Sequence, residues 1–141
     1  MRLAKGSGVA KQRGKSARFI DPEEERWRKT YPKFPGVAKC VELLRSPNVF
    51  GTWTDIISEE LVAHAPQIAQ ELFAAFHDEP DAWVKMILLS VIAEARLPEA
   101  MPILLEHLGS EDTSLRRYAI TGLKNLGTKE ARTALWAAGA V

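Results

Sequence analysis

Residues 81–140 are one pattern written twice. DAWVKMILLSVIAEARLPEAMPILLEHL is followed by DTSLRRYAITGLKNLGTKEARTALWAAG, and the two segments align without a gap at a shift of 31 residues. Asp81 falls on Asp112, Val84 on Leu115, Lys85 on Arg116 and Leu88 on Ala119. Ile92 falls on Leu123, Glu99-Ala100 on Glu130-Ala131, and Leu104 on Leu135. Self-similarity at this period marks an array of helix pairs, because one pair cannot bury its apolar face alone and neighbours must stack on it.

The helical periodicity supports the same reading. Residues 81–95 are apolar almost all round, with Trp83, Val84, Met86, Ile87, Leu88, Leu89, Val91 and Ile92. A helix of that kind sits between neighbours rather than on a surface. Its counterpart is amphipathic, with Leu115, Tyr118, Ala119, Leu123 and Leu126 on one stripe and Arg116, Arg117 and Lys124 off it. That is the pattern of the outer end of a stack. Upstream, Thr54 is expected to cap a helix over 55–65, and Pro66 to open another running to Phe76 or His77. These two form a third, more divergent pair, because Pro66, Leu72 and Phe76 match Pro98, Leu104 and Leu108 at a shift of 32.

Ahead of the pairs, Asp21-Pro22-Glu23-Glu24 is a strong helix start: a cap, a proline at the first position, and acids at the positive end. The helix is expected to end at Tyr31-Pro32. Trp27, Tyr31 and Phe34 are expected to cover the N-terminal end of the core. A second helix over 35–45 carries the stripe Val37, Val41 and Leu44, with Cys40 beside it as a small buried hydrophobe, and a turn follows over 46–51. Residues 1–19 form a separate basic arm: residues 1–20 hold six Lys/Arg and no Asp/Glu, and the arm lacks the apolar surface that would repay its ordering, so it is expected to be flexible. The expected organisation is thus a flexible basic arm over 1–19 and a single helical domain over 20–141, with N-terminal helices in 20–51 and repeats in 52–141.

The segment LRRYAITGLKNLGTKEARTAL resembles the short HEAT-like repeats of the kind found in phycobilisome lyases. The resemblance rests on Leu115-Arg116, Ala119, Leu123, Leu126-Gly127, Glu130-Ala131 and Leu135. The preceding unit keeps Val84-Lys85, Ile92, Glu99-Ala100 and Leu104 but has Ala95-Arg96 in place of Leu-Gly. The resemblance implies an all-α fold, a short α-solenoid of about three helix pairs with a curved binding face and no catalysis by the repeats. It also implies a local pair between the first-helix cation and an acid of the same turn, here Arg116 with Asp112 and Lys85 with Asp81.

No residue pattern points to chemistry. There is no glycine-rich phosphate loop, no nucleophile elbow and no helical metalloprotease motif. His64, His77 and His107 lie too far apart for a paired ligand set on one helix, so no metal and no cofactor are expected. The absence of these motifs points to a non-enzymatic protein; the lone Cys40, which allows no intramolecular disulfide, and the lack of an apolar run long enough to cross a membrane point to a cytoplasmic one. HEAT-like DNA glycosylases use a longer array with a basic concave face, unlike this short, acidic body.

Function is therefore expected in recognition of another protein, by an adaptor or an antitoxin- or immunity-type binder. Equivalent positions on the second helices line up as the row Phe73, Leu105, Trp136, with Glu106 beside it. The turns between pairs place Asp78, Glu79, Glu111 and Asp112 on one edge as an acidic rim suited to a basic partner such as a nuclease. Residues 52–141 hold seven basic and thirteen acidic side chains, in keeping with that choice. A homodimer through Trp136 is a further reading of the same row. Two alternatives come from other classes: nucleic-acid binding by Lys5, Lys11, Arg13, Lys15 and Arg18 of the arm, and accessory work for an enzyme acting on a tetrapyrrole or similar ligand.

Overall fold

The computed structural model describes residues 21–46 and 52–140. The basic arm and the 47–51 part of the expected turn lie outside the described residues. Among those described there are seven α-helices and no strand. The chain divides into two compact units after Lys33, with α1 in the first and α2–α7 in the second.

Helix α1 (Pro22–Thr30) starts as its sequence dictates: the Asp21 carboxylate accepts the Glu23 N–H at 2.7 Å. Ion pairs Glu23–Arg26, Glu24–Arg28 and Glu25–Lys29 run along the helix, all exposed enough to add little stability. The Trp27 and Tyr31 rings meet at 4.6 Å.

In the second unit, α2 (Val37–Arg45) begins after Gly36, whose φ of 99° takes the chain out of line, so Pro35 stays outside the helix. Val37, Cys40, Val41 and Leu44 are all buried, and α2 packs on α3. Burial pushes the Cys40 thiol up to about 12, with the Glu60 charge adding to it, so the group is inert at neutral pH.

Helix α3 (Thr52–Asp78) is two helical limbs that meet at a kink, with the break at Ile68, two residues past the Pro66 start expected for the second limb. It starts two residues before Thr54, which therefore lies inside the helix and is not its cap. Pro66 lies at the junction of the two limbs. Its ring removes one backbone donor, and the distortion is absorbed at Ile68, with φ −119° and ψ 15°. The segment after the bend buries Leu72, Phe73 and Phe76.

Helix α4 (Ala82–Glu94) packs between α3 and α6 (Thr113–Leu126), as an all-round apolar helix must. A 3₁₀ turn, Pro98–Ala100, leads into α5 (Met101–His107), which packs on α6, as does α7 (Lys129–Ala137). The core rows are those of the repeat: Leu88, Ile92 and Leu104 in one unit, Ala119, Leu123 and Leu135 in the next, all 2% exposed or less.

The two units of the repeat share a set of backbone devices. Asp81 caps α4 by accepting from Val84 N–H at 2.9 Å, and Asp112 caps α6 by accepting from Ser114 and Leu115 N–H. Two residues before each cap, a side-chain oxygen takes the cap's own N–H: Glu79 for Asp81 at 3.0 Å, Ser110 for Asp112 at 3.1 Å. The cations Lys85 and Arg116 do not pair with these aspartates, contrary to the local pairing the resemblance implied. The aspartates are occupied with helix N–H groups, and the cations reach backbone carbonyls of the preceding segment. Lys85 donates to Phe76 C=O at 2.9 Å and lies over the Phe76 ring, and Arg116 donates to Ser110 C=O at 2.7 Å. At the end of the first helix both units turn through a left-handed residue. Gly127 has φ 64°, and Arg96, the residue in its place, has φ 55°.

Helices α4 and α6 lie close together at Gly122. A methyl group there would come within 2.7 Å of a Leu104 side-chain carbon and 3.2 Å of the Ala93 Cα. Asn125 strengthens the same junction by donating to Ala93 C=O at 3.0 Å.

Candidate protein-binding surface

The row Phe73, Leu105, Trp136 is placed on three successive second-helix segments, but its members differ in exposure. Phe73 is 8% exposed, Leu105 is half-buried, and Trp136 is 76% exposed. Phe73 is thereby withdrawn from the expected surface: it is packed into the core beside Leu72 and Phe76. Helix α7 explains the opposite case. It turns Ala131 and Leu135 inward, and Trp136, about 100° further round, comes out on its open side.

Two recesses flank α7. One, of about 400 Å³, is lined by Lys129, Arg132, Thr133 and Trp136. The other, of about 630 Å³, is lined by Leu105 of α5 with Lys129, Glu130, Thr133, Ala134 and Ala137. Lys129 and Thr133 belong to both, so the two recesses adjoin. Glu106 is exposed on α5. Of the expected row, Trp136 lines the first recess and Leu105 the second, where Ala134 and Ala137 also lie.

The acidic rim is largely taken up by structural work. Glu79 is 4% exposed and held by Arg45 of α2, whose guanidinium reaches its two oxygens at 2.7 and 3.2 Å. The Arg45 hydrogen bonds hold the Glu79 carboxyl below its ordinary range, against the opposing effect of burial. Asp112 caps α6. Asp78 and Glu111 are exposed and remain available to a partner. Two of the three histidines pack: His64 stacks on Phe34 at 4.1 Å, and His107 sits edge-on to Phe76 at 5.2 Å, while His77 is exposed.

Charge is divided unevenly within residues 52–141. Residues 52–112 hold twelve Asp/Glu and two Lys/Arg, whereas residues 113–140 hold five Lys/Arg and one Glu. The last pair is therefore a basic end on an acidic body. A second large apolar group, Trp83 at the start of α4, is 44% exposed and was expected inside. On the first-helix side, a polar groove of about 580 Å³ runs across α3, α4 and α6 past Ser58, Ser90 and Thr121, which occupy equivalent positions.

The stacked pairs, the left-handed turn after the first helix and the repeated core rows define a helical repeat protein. The family model of HEAT repeats matches residues 69–140, just over half of the chain, and the chain belongs to that family. The match begins within the second limb of α3, so it takes in the two well-matched pairs and only half of the divergent one. No curated protein and no solved structure matches the chain. HEAT repeats are commonly protein-interaction modules and generally non-catalytic. No helix among the described residues is long and apolar enough to cross a membrane.

Proposed function

We propose that this chain is a non-catalytic adaptor that docks a partner protein on the α5–α7 surface, with Trp136 as its anchor. The observation that carries the reading is the 76% exposure of Trp136 beside two recesses in an otherwise well-buried repeat. Tryptophan is the residue type most often found to dominate protein interfaces, and a large apolar group is held in water only at a cost. Capture of partners from native lysate by wild-type chain and by Trp136→Ala tests it. The wild type should retain a partner that the variant loses by about tenfold or more. Equal retention by both removes the surface from consideration.

The excess of acids in residues 52–112 supports a second reading, an immunity- or antitoxin-type binder of a basic partner. With Glu79 and Asp112 occupied, it would rest on Asp78, Glu111 and the exposed carboxylates of α3. Neutralising Asp78 and Glu111 should weaken such a partner and leave one held by Trp136 unaffected. Nucleic-acid binding through Lys5, Lys11, Arg13, Lys15 and Arg18 is tested by deleting residues 1–18, which should abolish it. A role beside a tetrapyrrole-modifying enzyme predicts that purified protein takes up added pigment with a shift in its absorption.

A further inference from the structure

We infer that the α7 surface selects an acidic protein segment, one that carries carboxylates beside a large apolar side chain. The inference rests on the docking reading above and fixes the chemistry of the partner, which is the reverse of a basic one. Two observations carry it.

The first is that the cations at this end are uncompensated. Arg116, Arg117, Lys124, Lys129 and Arg132 stand against Glu130 alone in residues 113–140. The ion pairs present elsewhere are made by Arg26, Arg28, Lys29, Lys39 and Arg45, and none of the five cations of α6–α7 pairs with a carboxylate among the described residues. Two of them spend one donor each on backbone carbonyls, Arg116 on Ser110 and Arg132 on Gly127. An arginine has five donors, so most of the hydrogen-bonding capacity of both remains open.

The second is the way charge and apolar surface are combined. Lys129, Arg132 and Trp136 follow one another along α7 and line one recess, while Leu105, Ala134 and Ala137 line the other. A segment laid across α7 would seat an apolar side chain against Leu105 and Ala137 and bring its carboxylates to Lys129 and Arg132. The cations would then add orientation and association rate to the contact made by Trp136.

The alternatives fit less well. In a twofold homodimer through Trp136 the same patch meets itself, so Lys129 and Arg132 would face their own copies. A nucleic-acid strand needs cations along its whole track, and here Glu130 lines the apolar recess.

The test is selection of binders from an unbiased peptide library displayed on phage, using the full chain as bait. Binding of the enriched peptides is then measured against Trp136→Ala, Lys129→Glu and Lys129→Glu/Arg132→Glu, with thermal melting as the check on folding. Lys129→Glu places an acid in the first turn of α7, where it favours the helix, so at least one charge reversal stays folded. Enriched peptides should be acidic with an aromatic or leucine. They should bind at least tenfold more weakly to the double charge reversal and lose affinity steeply with salt. Basic or neutral peptides that need Trp136 but ignore the charge reversal overturn the inference and leave the docking reading intact. Peptides indifferent to Trp136→Ala overturn both, as does a library that yields none. Tighter binding of a 20-residue oligothymidylate than of any peptide, lost on charge reversal, also overturns the inference. So does sedimentation as a dimer that Trp136→Ala abolishes.

Discussion

The α4–α5 and α6–α7 pairs follow the same sequence pattern, and their environments differ. Helix α4 has neighbours on both sides and buries Val84, Leu88, Leu89, Val91, Ile92 and Ala93; α6 buries only Ala119, Gly122 and Leu123. Position by position, Leu89 becomes half-buried Ile120, and buried Ala93 becomes exposed Lys124. The backbone devices are retained while the side chains on the outer flank change from core to surface. Stacking sets which positions must be apolar, and the end of the stack releases them for recognition.

The largest effect expected from this contrast is between equivalent truncations. Leu89→Ala should cost about 2–5 kcal/mol, because the cavity is closed on all sides. Ile120→Ala at the matching position should cost about 1 kcal/mol or less, being already open to water. Urea unfolding of both would show it, and equal losses would mean that the two helices are equally enclosed.

Gly122 comes next. Gly122→Ala forces a methyl group against Leu104 and the Ala93 backbone and should destabilise by about 1–3 kcal/mol, although alanine is the better helix former. A gain in thermal stability would show that α4 and α6 can separate without penalty.

The turns before the two first helices should differ in their response to acid. Glu79 and Ser110 accept the same kind of N–H, but only Glu79 titrates. Its folded-state pKa is lowered, chiefly by Arg45. Its contribution is therefore present above the ordinary glutamate value of about 4.3 and lost as pH falls through the folded value. Glu79→Gln should flatten the stability profile below about pH 4.3, while Ser110→Ala should leave its shape unchanged. Unfolding midpoints measured across that range distinguish the two.

The smallest effect is at the left-handed turn. Arg96→Gly should stabilise by about 0.5–1 kcal/mol, because the strain of a side chain at φ 55° exceeds the added flexibility of glycine. Gly127→Ala should lose about 1 kcal/mol at the equivalent place. Thermal shifts of opposite sign would establish that the two turns are the same device.

Much of this fold could be read from the sequence because the repeat states each core position twice. The α2 stripe, the apolar character of α4 and the caps at Asp21, Asp81 and Asp112 follow from local rules. The exact place of the break in α3, at Ile68 and not at Pro66, did not, because proline is compatible with both a helix start and an interior kink, and only packing on either side decides. The left-handed Arg96 was visible as a departure from Leu-Gly, but its conformation was not. Of the surface row, Trp136 was legible because it lies one residue past a core leucine. Phe73 was not, since the burial of a flank depends on its neighbour. Glu79 failed as a rim residue for a similar reason: its partner Arg45 lies 34 positions away, and no local pattern records such a pairing.

The bend at Pro66 has a practical corollary for anyone wishing to lengthen or graft onto this protein. The other pairs have linkers, over 95–97 and 127–128, whereas the two limbs of α3 join through the kink at Ile68 with no intervening loop. Foreign loops should be accepted at those two linkers, and a protease should find its earliest cuts there, while the bent rod across residues 52–78 resists both.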